Sequence, residues 1–237
     1  MILPVVVLAG GLATRLRPIT EKIPKSIVTV NDVPFVLHQL KLFQQNGIDR
    51  VHFCLGHLGE MVKAVIDDSP FATTMSITYS FDGEKLLGTG GAIKKALPFL
   101  PDLFFVTYGD SYLDVDYKRI ESQFVESAKD PVGLMTVYKN SNKYDTSNVI
   151  YENEKIVLYS KKQSLAKMEY IDYGLGIVRN KHFSGYPDNT CFDLSEIYEN
   201  LSLKGELMGY EIPNRFYEIG SLNGIEDLSK YLNTKEI

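Results

Sequence analysis

Apolar residues along the chain follow two alternating rhythms. Short runs rich in β-branched and aromatic residues occupy positions 2–8, 50–55, 75–80 and 103–108, each of strand length. Between them apolar positions recur at three- and four-residue intervals, as a helix with one buried face requires. After the first run, Asp32 is placed to cap a helix with Pro34 in its first turn. Val33, Val36 or Leu37, Leu40 and Phe43 then make one apolar stripe that stops at Gly47. A second helix is predicted over 58–67. A third opens near Gly90, carries Ala92, Ile93, Ala96 and Leu97 on one face, and ends at Pro98. This order predicts βα units around a parallel sheet across the first ~110 residues.

Beyond Val132 the rhythm changes to strand runs at 132–138, 148–151 and 156–159, the last two joined by a turn at 152–155. This half is expected to be mixed and to cover the other side of a cleft. Ligands of open α/β sheets sit beyond the carboxyl ends of the strands. That rule points to the segments starting at Ala9, near Gly56, near Phe81 and at Gly109.

Bulk properties narrow the function classes. A chain of 237 residues can bury a core without disulfides or a structural metal. Its apolar fraction of 44% and charged fraction of 23% indicate neither disorder nor a membrane protein. A net charge of −5 without a long basic run argues against nucleic acid as partner, whereas a small anion needs only a few local cations. Cys54 and Cys191 fit no metal or CxxC spacing and read as reduced packing residues in a cytoplasmic setting. The apolar N-terminus lacks a basic leader and a cleavage site, and it is shorter than the ~20 residues that span a bilayer, so it reads as a buried strand with no membrane role. His38, His52, His57 and His182 form no relay or metal-binding pattern.

The first candidate chemistry follows the opening strand. Gly10 and Gly11 let the backbone approach a ligand closely and turn successive N–H groups towards an anion, for which a phosphate chain is the natural guest. Arg15 and Lys25 add the charge a triphosphate needs. Spacing fits neither G-x-x-x-x-G-K-[ST] nor G-x-G-x-x-G, which demotes kinase-type P-loops and standard dinucleotide folds. An ordinary βα turn followed by solvated charges would use the same residues.

The ordered string Leu8-Ala9-Gly10-Gly11, Thr14-Arg15-Leu16, Pro18, Thr20 and Pro24-Lys25 closely resembles the signature of the sugar-phosphate nucleotidylyltransferases, with Ala13 where that family usually has glycine. The resemblance runs along nearly the whole chain and is nearest in style to short bacterial mannose and manno-heptose 1-phosphate guanylyltransferases. It implies that Leu8, Ala9, Gly10, Gly11 and Thr14 bind nucleotide and that Arg15 and Lys25 are catalytic. Residues 87–92 resemble the family's turn that opens a helix against base and sugar. Gly88 and Thr89 are then nucleotide contacts, glycines there leave room for a flat ring, and residues 81–87 contribute to base recognition. Tyr108-Gly109-Asp110 matches the element ending in Gly-Asp, which makes Asp110 a magnesium ligand and places Tyr108 and Gly109 beside the sugar phosphate. Residues 215–220 resemble the segment carrying a second acidic ligand, here Glu218 rather than Asp; an ion pair with Arg215 is the structural alternative for it.

Residues 159–162 occupy the place of the family's F-x-E-K element. Lys161 is implied to hold the sugar phosphate, with Lys162 as the alternative and Ser160 where the family has glutamate. Residues 170–176 match a strand lining the sugar pocket, so that Asp172, in place of the usual Asn, and Gly174 face the sugar; Glu169, Tyr173 and Ser147-Asn148 are further polar groups nearby.

The implied fold is α/β, a Rossmann-like three-layer sandwich with a mostly parallel central sheet and a smaller mixed α+β sugar-binding portion. A single domain would divide into a nucleotide-binding half, 1–112, and a sugar-phosphate-binding half, 113–237. The implied reaction transfers a nucleoside monophosphate from a nucleoside triphosphate to a sugar 1-phosphate with Mg²⁺ as cofactor, for surface polysaccharide or glycoconjugate precursors. GTP is favoured, with CTP or UTP and another phosphorylated acceptor as alternatives, and the resemblance implies a homodimer. A regulatory homologue that binds nucleotide sugars without catalysis is the rival from another class. A Rossmann-type oxidoreductase comes third, lacking its fingerprint and a hydride-transfer acid or base.

Overall fold

A computed structural model describes residues 2–11, 22–127 and 131–235. In chain order its strands are β1 (Val5–Ala9), β2 (Thr29–Val30), β3 (Val33–Pro34), β4 (Arg50–Leu55), β5 (Ser76–Phe81), β6 (Leu103–Tyr108), β7 (Ser111–Tyr112), β8 (Gly133–Lys139), β9 (Val149–Glu152), β10 (Lys155–Tyr159), β11 (Tyr170–Arg179), β12 (Leu207–Glu211) and β13 (Tyr217–Glu218). Its helices are α1 (Phe35–Gln45), α2 (Gly59–Asp67), α3 (Phe71–Thr74), α4 (Gly88–Ala96), α5 (Tyr117–Val125), α6 (Leu194–Leu203) and α7 (Leu222–Lys235). Among the described residues no helix is long and apolar enough to cross a membrane.

Nine of the strands form one sheet in the order β5-β4-β1-β6-β11-β8-β12-β10-β9. The four at the β5 end are mutually parallel. β11 then runs antiparallel to both β6 and β8, and the second half of the chain continues the same sheet in mixed orientation. Two short antiparallel pairs, β2 with β3 and β7 with β13, stand apart from it.

Alternation along β1 explains the layering. Val5 and Val7 face a core that includes Val36 and Leu40 of α1, Val62 and Ile66 of α2 and Ile120 of α5. Val6 and Leu8 face the opposite core with Ile93 of α4 and Ile197 of α6. A strand buried on both faces reads as an unbroken apolar run because each face of the pleat meets a helix layer. Each such side chain, fully buried, contributes about 1.5–3 kcal/mol. The α/β three-layer class expected from the alternation is therefore present. A third, smaller cluster seats α7, through Leu228 and Leu232, against Phe35, Tyr112 and Ile219.

Several local expectations change. β1 begins at Val5, β5 is shifted to end at Phe81, and α4 starts two residues earlier than its apolar face suggested. Asp32 does not cap α1. With Asn31 (φ 49°) it occupies, at φ 62°, the tight turn between β2 and β3, and α1 starts after Pro34 without a side-chain cap. Val33 is accordingly exposed in that hairpin rather than part of the helical stripe. The stop at Gly47 is as expected: the Gly47 N–H donates to Gln44 O (3.0 Å) and the Ile48 N–H to Phe43 O (3.0 Å), closing the helix in a Schellman pattern. Cys54 is buried, whereas Cys191 is exposed and is not a packing residue.

A left-handed conformation at both turn positions favours glycine at the second. Asp32→Gly is therefore expected to stabilise the protein by about 0.5 kcal/mol. A urea midpoint that falls in the variant would contradict the turn assignment.

Candidate active site

Parallel pairing brings the carboxyl ends of β1, β4, β5 and β6 to one edge of the sheet. The segments leaving those ends touch. A Cβ on Gly109 would fall 2.7 Å from the Ala9 Cβ and 3.1 Å from Ser26 Oγ, so a glycine is what lets the β6 exit close on the β1 exit. Between them lies a cavity of about 240 Å³. Its walls include Leu8, Ala9, Gly10 and Gly11 from the β1 exit, Lys25 and Ser26, Gly88 and Thr89 at the start of α4, and Tyr108, Gly109 and Asp110 after β6. Ten residues singled out in the sequence thus share one cavity. Arg15 and Thr14, the other candidates from the glycine-rich string, lie outside the described residues.

Lys25 enters from the single turn Lys25–Ile27, delivered by an extended Pro24. Its Nζ donates to Asp110 Oδ2 at 2.7 Å, and both side chains are largely shielded from water. Ser111 Oγ donates to the other oxygen, Oδ1, at 3.4 Å. β13 pairs with β7 so that Glu218 lies across from Ser111, and the Ile219 N–H donates to Asp110 O (3.0 Å). A Cβ on Gly220 would be 3.7 Å from Lys25 Nζ and 4.0 Å from Glu218 Oε2, so the cation and the second carboxylate face one small space. Among the described residues no three His, Cys, Asp or Glu side chains cluster as a metal cage. Mg²⁺ in phosphate-handling sites needs only one or two carboxylates, with phosphate oxygens and water completing its octahedron, and Asp110 with Glu218 suits that donor set.

The glycines of residues 87–92 serve a different purpose from the one expected. A Cβ on Gly90 would lie 2.2 Å from the Phe192 ring, and one on Gly91 would lie 2.3 Å from Thr190 O. The N–H groups of Gly90 and Gly91 both donate to Phe192 O (3.0 and 3.3 Å), and Thr89 Oγ1 accepts from the Leu194 N–H (2.8 Å). These two glycines therefore let the 190–194 segment pack onto α4, and their donors are spent on it. Gly88, Thr89 and Ala92 of that string line the cavity.

Lys161, Asp172, Gly174 and Glu218 are not among the residues that line the cavity. A Cβ on Gly174 would sit 3.6 Å from Tyr108 Cδ2, which ties β11 to the cavity wall. Asp172 precedes an irregularity in β11, where register slips between Asp172 and Gly176, and its Oδ1 accepts from the Gly174 N–H (3.0 Å). Burial pushes its carboxyl up to about 6, while the Gly174 N–H and the Lys161 charge partly offset that rise. Lys161 Nζ donates to Asp193 Oδ1 (3.2 Å). Burial acts to raise Asp193, but hydrogen bonds from Ser195 and Lys161 outweigh it and hold the carboxyl below its usual range. Ser160, buried, accepts from the N–H groups of Lys162 and Gln163 (3.2 and 3.3 Å), so the residue in the glutamate's place shapes the turn that presents Lys161. Of the two lysines it is Lys161 that meets this acidic pair.

The other polar groups expected near the sugar have partners within the chain. Ser147 is buried and bonds Asn140 and Asn142, Asn148 accepts from the Asp172 N–H, Glu169 pairs with Lys139, and Tyr173 is buried with its hydroxyl donating to Arg215 O. Arg215 pairs with Asp227 and stacks on Tyr144 and Tyr217. Ser26 and Cys54, not singled out in the sequence, also line the cavity, as does Asp82 from the 81–87 stretch expected to contribute to base recognition. Asp82 Oδ2 accepts from the Leu87 N–H (3.1 Å), and burial raises its carboxyl above the usual range. Its place just past the end of β5 was the available signal. Asp193 had only a helix-cap signature, which it fulfils by closing a capping box on α6.

Residues 4–158 match the nucleotidyl transferase family. The chain belongs to that family. Its motifs had pointed to the same place. The D-glycero-alpha-D-manno-heptose 1-phosphate guanylyltransferase of Campylobacter jejuni is 26% identical over 91% of this chain and 93% of its own length. The mannose-1-phosphate guanylyltransferase catalytic subunit beta of Xenopus tropicalis is 25% identical over 90% of this chain, which spans 60% of that longer protein. The crystal structure of HddC from Yersinia pseudotuberculosis complexed with GMP-PN superposes with a TM-score of 0.78 and 25% identity, covering 97% of this chain and 99% of its own.

The elevated Asp172 carboxyl has a stability consequence. Between the ordinary carboxylate range and about pH 6 the folded state binds the proton that the unfolded state has released, so stability falls as pH rises through that window. The cost is complete above it. Asp172→Asn keeps an acceptor for the Gly174 N–H and removes the ionisation. The variant is expected to be more stable than the parent at pH 8 by roughly 1–3 kcal/mol, with the difference vanishing near pH 4. Parallel stability curves for the two proteins across this range would refute the burial argument.

Proposed function

We propose that this nucleotidyl transferase family member joins a nucleoside monophosphate to a sugar 1-phosphate and releases pyrophosphate, with GTP as donor and a manno-configured sugar 1-phosphate as acceptor. The observation that carries the reading is the Lys25–Asp110 pair lining the glycine-walled cavity, with Lys25 and Glu218 both facing Gly220. The GTP and manno preferences rest on the heptose and mannose guanylyltransferase relatives and on the GMP-PN complex of HddC.

The chemistry asks for positioning and charge neutralisation. A sugar 1-phosphate is dianionic near neutral pH, its second ionisation lying near ~6, so its attacking oxygen needs no general base. That oxygen forms a bond to the α-phosphorus while the α–β bridging oxygen departs with pyrophosphate. Lys25 stabilises the α-phosphoryl oxygens, and the Gly10 and Gly11 amides, with Arg15, hold the β- and γ-phosphates. Lys161 draws the incoming phosphate against the repulsion of the triphosphate. Asp110 and Glu218 would hold Mg²⁺, which when bound would neutralise charge developing on the phosphate oxygens. Asp172 and Asp193 offer acceptors to sugar hydroxyls.

Pyrophosphate release with GTP, ATP, CTP or UTP against a panel of sugar 1-phosphates tests the reading; silence with every pair while the protein is folded would overturn it. Lys25→Ala is expected to lower turnover about 10²–10³-fold while leaving the fold intact. For Asp110→Asn the expected change is a magnesium titration displaced to higher concentration, and an unmoved curve would remove Asp110 from the metal site.

A further inference from the structure

Gln39 on α1 is 1% exposed, carries no charge and does not itself line the cavity, yet it reaches the turn on which Asp110 stands. Its Nε2 donates to Tyr108 O and to Ser111 O, each at 2.9 Å. Both partners are carbonyls, so the amide must point its NH₂ group at the turn, and both of its protons are committed there. Its Oε1 is buried and meets no hydrogen-bond partner among the described residues. An unsatisfied buried acceptor disfavours folding. Packing alone would be served at this position by an apolar side chain of the same size, so the return for that acceptor lies in the two bonds on the other side.

Those bonds complete the hold on the turn. The Gly109 N–H donates to Leu8 O (2.9 Å), and Asp110 O accepts from Ile219 (3.0 Å). The carbonyls on either side, at Tyr108 and Ser111, are the ones Gln39 takes. Four hydrogen bonds, from β1, from Ile219 just after β13 and from α1, therefore pin the backbone around Asp110. Two of them come from one side chain that bridges the turn from end to end. We infer that Gln39 is a positioning residue: it clamps the Tyr108–Ser111 turn and so sets where the Asp110 carboxylate stands relative to Lys25 and Glu218.

The consequence for turnover rests on the proposed reaction, whereas the clamp itself does not. Gln39→Met preserves size and removes both donors; Gln39→Glu preserves shape and aims acceptors at the two carbonyls. In either variant, hydrogen exchange of the amides at 109–112 is expected to accelerate in the ligand-free protein while exchange within β4 and α2 stays as in the parent. Pyrophosphate release should show kcat lowered about tenfold or more, as a displaced reacting group demands. Magnesium half-saturation should rise and KM for the sugar 1-phosphate should hold. Unchanged exchange at 109–112 in a variant that folds, or an unmoved magnesium titration beside a purely thermal loss, overturns the assignment. If neither variant folds, Gln39 is a residue of the core and the assignment fails. If the parent protein releases no pyrophosphate from any substrate pair, the proposed reaction fails by itself, and the exchange measurement decides the clamp alone.

Discussion

Everything in the candidate site depends on how closely the exits of neighbouring parallel strands can approach. β1 and β6 lie side by side, and their exits carry, respectively, the glycine-rich turn and Asp110. The side chain that Gly109 lacks would collide with Ala9 and crowd Ser26, and one on Gly56 would fall 2.5 Å from Gly10 O. With those atoms absent, three loops pack edge to edge. Lys25, which follows the first loop in sequence, then comes within 2.7 Å of a carboxylate 85 residues away. A methyl group at either contact would push the loops apart by more than a hydrogen bond can stretch.

From that contact outward the site has two electrostatic characters. Around Lys25, Asp110 and Glu218, one cation stands beside two carboxylates where a polyanion and a divalent ion are proposed to meet. Around Asp172 and Asp193 two carboxylates share a single lysine, and burial leaves Asp172 with an elevated pKa. The first arrangement suits phosphates, and the second suits hydroxyl groups, which donate to carboxylates. β11 connects the two. It pairs with β6 along Leu175–Arg179 and loosens its register between Asp172 and Gly176, so the strand that continues the sheet beyond its parallel part also carries Asp172 near Lys161.

The short pieces outside the main sheet matter for the same reason. β7 follows Asp110 directly, and its pairing with β13 brings in Glu218, while α7 packs Leu228 and Leu232 against Ile219 and Tyr112. The C-terminal helix is thus the support for a carboxylate at the cavity's edge. α1 supports the other side through Gln39.

The sequence by itself determined the layered α/β class, because unbroken apolar runs and three-four spacing report burial on two faces and on one face respectively. It also determined the identity of the residues at the β1 and β6 exits, since a glycine pair after a strand and Gly-Asp after another are local signals. It misjudged Asp32, Gly90 and Gly91. Asp32 was read as a helix cap and the glycines as room for a flat ring, but Asp32 turns a hairpin and the glycines meet the 190–194 segment, which no local pattern encodes. Gln39 and Asp193 gave no sign of their contacts, because a buried amide and a helix cap look alike wherever they occur. Which carboxylate faces which lysine, and which glycine meets a ligand rather than another loop, was decided only by the folded chain, where hydrogen bonds and steric contacts act across separations of tens to hundreds of residues.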